Sequence, residues 1–167
     1  MNKRVPMKAM SPLMEEILKG GGSVAFTVTG DSMRPLLRHR RDRVCLRAPG
    51  EQPLKKYEIP LFVRTDGKYI LHRIVGLGPD GYIVRGDNQL GREYPVWYSQ
   101  VIGVVAGIWR DEKYLSCNHF RYRLYCKLWA GYYPFRWIYY WGNRLLFRIY
   151  QVSPHSAHRK GENENEG

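Results

Sequence analysis

Acidic residues are scarce, and their absence is uneven. Between Lys113 and Lys160 there is no Asp or Glu, in a chain of 167 residues with a net charge of +12. Cysteine is nearly absent too. Cys45, Cys117 and Cys126 form no CxxC pair and no metal-ligand spacing, and an odd count excludes a fully paired disulfide framework. His39, His119, His155 and His158 make no ligand cluster in the sequence, so neither a metal nor another cofactor is expected. Long apolar runs are missing as well. Residues 1–20, MNKRVPMKAMSPLMEEILKG, carry Glu15 and Glu16, where a membrane span needs about 20 consecutive apolar residues. The expectation is a chain without export signal or span, in the cytoplasm or peripherally on a membrane.

What is present reads as one small β-rich domain with helical ends. A short helix is expected over 11–19, with Ser11 as cap, Pro12 in the first turn and Gly20-Gly21-Gly22 as its end. Strands are expected near 24–28, 43–47, 60–64, 69–76, 81–85 and 101–109, with turns at Asp66-Gly67 and Pro79-Asp80-Gly81. Short strands at this spacing suit a mainly β, antiparallel fold.

Three blocks in this framework carry chemistry. Gly30-Asp31-Ser32-Met33-Arg34-Pro35 follows the strand-like Val24–Val28 and places a serine on a tight loop. Gly30 permits unusual φ and Pro35 fixes its own, so the loop can hold the Ser32 hydroxyl stiffly beside free N–H groups. Ile70-Leu71-His72-Arg73-Ile74-Val75-Gly76 supplies a histidine, and Ile83-Val84-Arg85-Gly86-Asp87-Asn88 an aspartate. Alone, each has an ordinary reading: a turn serine, a half-buried strand histidine, a turn aspartate. In this order they are the three groups of a hydroxyl-nucleophile centre, with Ser32 attacking, His72 as base then acid, and Asp87 orienting His72 or supporting the loop.

The blocks resemble the signal peptidase I superfamily, which includes the self-cleaving repressors. FTVTGDSMRPLL resembles its nucleophile box and KYILHRIVG the box of its general base. GYIVRGDN resembles its Gly-Asp box. RDRVCL and PLKKYEIPLFVR resemble the two strands after the nucleophile box and VIGVVAGIWRDEKYL the closing strand pair, over about residues 22–116. Bacterial members carry a lysine base. Here no lysine lies between Lys68 and Lys113, and His72 matches the Ser–His type of archaeal and endoplasmic-reticulum members. The resemblance implies a peptidase preferring small residues at the cut. Many members have a serine at the position of Gly30 that helps line the oxyanion hole; here the Ser32 N–H, with Thr29, is left to do so. Shallow pockets are expected around Met33.

Downstream lies a basic aromatic segment, 117–152, with one helix expected near 119–129. In a second helix Trp137, Trp141, Leu145 and Ile149 fall on one face, and Arg136, Arg144 and Arg148 on its neighbour. This suits the headgroup layer of an anionic membrane. Packing on the catalytic domain is the plainer reading, and the lack of a nucleic-acid motif argues against nucleic acid. Residues 153–167 are polar and expected to be disordered. The organisation expected is thus 1–21 helix and linker, 22–116 catalytic domain, 117–152 helical segment and 153–167 tail. The function expected is serine endopeptidase action on an extended signal or leader peptide. The rivals are a self-cleaving repressor-like regulator and a non-catalytic peptide- or membrane-binding module.

Overall fold

In the computed structural model, which describes residues 6–133 and 135, the chain is mainly β and antiparallel, with a helix at each end. The strands are β1 (Val24–Thr27), β2 (Arg43–Arg47), β3 (Pro60–Val63), β4 (Tyr69–Leu71), β5 (Arg73–Gly78), β6 (Gly81–Arg85), β7 (Glu93–Val96), β8 (Val101–Arg110) and β9 (Lys113–Ser116). The helices are α1 (Met7–Lys19) and α2 (Phe120–Gly131). Six strands form one sheet in the order β1-β2-β8-β3-β4, with β9 also on β8; the other three form a sheet in the order β5-β6-β7.

The expected strand 69–76 is two strands in two sheets. β4 pairs with β3, β5 pairs with β6, and His72 between them belongs to neither. β1 and β4 are the two ends of the larger sheet, and each leads toward a site residue: Ser32 shortly after β1, His72 directly after β4.

Helix α1 starts four residues before the expected 11–19. Ser11 is not its cap but a buried residue inside it, donating from Oγ to Glu15 Oε1 at 3.2 Å. Packing explains the longer helix. Met7 and Met10 join Met14 and Leu18 at i, i+3, i+4 steps against the main core, and the Lys8 carbonyl that Pro12 cannot satisfy belongs to an exposed residue.

One core cluster holds Leu37, Val44, Leu46, Ile59 and Leu61 together with Met14 and Leu18 of α1 and Tyr122 and Cys126 of α2. A second, around Phe62, Ile74, Val84 and Val104, lies between the sheets' facing residues. Both helices therefore share the sheet's core, and residues through Gly131 make one unit. The expected helix bearing Arg136, Trp137, Trp141, Arg144 and Arg148, and the tail 153–167, lie outside the described residues.

Candidate active site

The turn after β1 is built around Gly30, whose φ of +93° is left-handed and favours glycine. Its N–H donates to His39 Nδ1 at 2.8 Å, so this amide is already engaged. Asp31 pairs with Arg34 at 2.8 Å on the surface, and the Arg34–Pro35 peptide bond is cis. Ser32 is half-buried, Thr29 and Pro35 are exposed, and Met33 is 2% exposed within the main core. Met33 thus serves as a packing anchor beside Ser32, not as the lining of an open pocket.

The turn is tied to the Gly-Asp block through the backbone. Asn88 N–H donates to Ser32 O at 2.7 Å. Gly86 lies so close that a Cβ there would come within 2.7 Å of the same oxygen, which excludes any side chain. Asp87 then turns inward. Arg73 grips its carboxylate with two parallel bonds, Nε to Oδ1 at 2.7 Å and Nη2 to Oδ2 at 2.6 Å. Both side chains are about 3% exposed, so this is a buried, charge-assisted, bidentate pair. Arg73 follows His72 directly. These contacts tie the Ser32 backbone to Asn88 and, through the neighbouring Asp87, to Arg73, the residue that follows His72.

The carboxylate against the His72 ring belongs to Glu93, at the start of β7. His72 Nδ1 lies 2.7 Å from Glu93 Oε1. These two atoms are sealed from solvent, and neither makes a well-aligned hydrogen bond, so the two groups are in close contact without a directed bond. Arg64, directly after β3, holds Glu93 from the other side: Nε donates to Oε2 at 2.6 Å and Nη2 lies 2.6 Å from Oε1. The role of orienting the imidazole, expected of Asp87, is one Glu93 is placed to fill, while both Asp87 oxygens serve Arg73. A carboxylate at Nδ1 favours the tautomer that leaves Nε2 as the proton acceptor.

Electrostatics keep His72 neutral. Burial pushes its pKa below the ordinary 6.5, and the Glu93 charge opposes that push without overcoming it. For Glu93, burial pushes upward, but the Arg64 hydrogen bond and the Arg64 charge outweigh it and hold the carboxylate below its usual range. The result is a neutral imidazole against a charged carboxylate, the arrangement a general base requires.

Sequence reasoning missed Glu93 and His39. Glu93 lies in Glu93-Tyr94-Pro95-Val96, where Pro95 argues against a strand; β7 accepts it because it is the edge of its sheet. Asp42, also missed, is fully buried and closes the loop after the Ser32 turn. It accepts from Arg38 N–H, Arg41 Nε and Arg110 Nη2. Burial opposes its charge, yet the bonds from Arg110 and Arg41 pull its pKa down to about 2.

No family model matches this chain, and no curated protein matches it.

Proposed function

We propose that the chain is a serine endopeptidase of the Ser–His type, resembling signal peptidase I, that cuts an extended signal or leader peptide. The observation that carries this reading is the neutral, buried His72 held at Nδ1 by Glu93, joined through Arg73, Asp87 and Asn88 to the backbone of Ser32. His72 Nε2 takes the Ser32 proton as Oγ bonds to the scissile carbonyl carbon. The C–N bond then breaks, and the same proton passes to the leaving amine. Water, deprotonated by His72, next releases the acyl group from Ser32. Gly30 N–H is engaged by His39, and in this reading the Ser32 N–H donates to the oxyanion. An extended substrate can add to the edge strand β1 or β4, each of which leads to one of the two reacting residues. The test is digestion of a diverse peptide library, read by mass spectrometry. Cleavage by the wild type that disappears in Ser32→Ala and in His72→Ala is expected; an unchanged product set in either variant overturns the assignment.

A second observation favours work at an anionic membrane surface. On α2, Phe120, Leu124 and Leu128 are 67%, 45% and 64% exposed at i, i+4, i+8 steps, on the face opposite buried Tyr122 and Cys126. Arg121 borders this stripe on one side and Lys127 on the other, so their stems can cover apolar surface while their charges meet headgroups. Among the described residues no helix is long and apolar enough to cross a membrane.

A further inference from the structure

Away from Ser32 and His72, a cavity of about 930 Å³ opens between the end of β2, the loop 49–58, strands β8 and β9 and the first turns of α2. That volume is in the range of a ligand site, roughly 300–1,000 Å³. Its walls carry Arg47, Lys55, Lys56, Arg123 and Lys127 against Glu51 and Glu58, a net charge of +3. Glu58 is already committed, with Oε1 on Arg47 Nη2 at 2.9 Å and Oε2 accepting from Lys55 N–H at 2.6 Å. Among the described residues Lys55, Lys56, Arg123 and Lys127 have no ion-pair partner; Lys56 lies over the Tyr57 ring at 5.3 Å.

The floor adds no negative charge to answer them. Cys117, Tyr122 and Cys126 form it, and burial pushes the Cys117 thiol up to about 11 and raises the other two as well. The floor is also the back of the catalytic framework. From that side Tyr57 O, Tyr122 OH and Cys126 Sγ take bonds from Arg73 Nη1 at 3.0, 3.4 and 2.9 Å, while Nε and Nη2 of the same guanidinium hold Asp87.

We infer that this cavity is an exosite for an acidic stretch of the polypeptide substrate, separate from the residues that cut it. Several cations spread over a loop and a helix call for several anionic groups on one flexible ligand, and a concave site excludes a bilayer. The inference rests on the peptidase reading for its biological sense, but its binding test does not.

The experiment uses the full chain as Ser32→Ala, so that nothing is cut, and a fluorescent (Glu-Gly)4 peptide read by anisotropy. Its (Gln-Gly)4 counterpart, a dT12 oligonucleotide and anionic phosphatidylglycerol vesicles are the competitors. Saturable binding of the glutamate peptide, weakened at raised salt, is expected, with at least about tenfold loss in Lys55→Glu/Arg123→Glu. Equal binding of the glutamine peptide, or unchanged binding in the double variant, overturns the exosite. So does tighter binding of the oligonucleotide or vesicles with the same dependence on Lys55. In the Ser32-intact chain, an acidic extension on a cleaved peptide should lower KM and leave kcat unchanged. Binding without any cleavage would reject the peptidase reading and leave the acidic-peptide site standing.

Discussion

His72 is the one residue between Tyr69 and Gly78 that lies in no strand, and this accounts for its surroundings. Where the chain leaves one sheet for the other, a side chain can be buried between them and still meet Arg64 and Glu93 from both. Burial lowers its pKa below 6.5. The folded state therefore binds this proton less readily than the unfolded chain, and its contribution to stability is present above pH 6.5 and lost as pH falls below it. The same shift sets the activity profile. The acid limb of kcat/KM should have its midpoint below pH 6.5, the ordinary histidine value. Glu93→Gln, which removes the charge opposing the shift, should move that limb lower still and cut kcat/KM by about 10²-fold or more. A limb and rate unchanged in Glu93→Gln would mean that Glu93 does not act on the base. The blocks around Ser32, His72 and Asp87, proposed as the site, were visible in the chain because each has a local signature. Glu93 was not, because its role comes from pairing across two sheets and leaves no motif in the chain.

At the scale of elements, the Gly-Asp block is held by a buried charge pair, which costs much more to break than to replace. Arg73→Met leaves the Asp87 carboxylate, 4% exposed, without its arginine. Loss of one partner of such a pair costs roughly 3–5 kcal/mol, and Tm should drop by about 10 °C or more. Arg73→Met/Asp87→Leu should recover much of that loss, because neither member of the pair is then left as an uncompensated buried charge. Calorimetry of the two variants decides; a double variant no more stable than the single one would show that the pair itself is needed. Strands with ordinary signals, such as β2 and β6, were legible within a residue or two. β9 carried no turn signal of its own, since its hairpin turns on Asp111 and Glu112 at φ of +46° and +63°, without the glycine that marks such turns, and only the resemblance of VIGVVAGIWRDEKYL to a closing strand pair covered it. The first turn of α1 was obscured by Pro12, where core packing of Met7 and Met10 prevails over the local signal.

At the scale of the whole molecule, charge and apolar surface are segregated. The acid-free stretch after Lys113 opens with β9 and α2, and α2 points Tyr122 and Cys126 inward and an apolar stripe outward. The inner side explains why α2 belongs to the same unit as the sheet, in line with the plainer reading of its segment as packed on the domain. The outer side predicts binding to vesicles rich in phosphatidylglycerol. Flotation should recover the wild type with the vesicles, and Leu124→Ser/Leu128→Ser should reduce that fraction several-fold while the fold stays intact, because both side chains are exposed. Equal flotation of the variant would remove α2 from the membrane reading.

The central claim is that Ser32 is the nucleophile and His72 its base. The most direct test is kcat/KM for one cleaved peptide, measured for the wild type, Ser32→Ala and His72→Ala. A loss of at least about 10³-fold in both, with the double variant no worse than either, is the result of two groups acting as one machine. Activity retained in either single variant would contradict it.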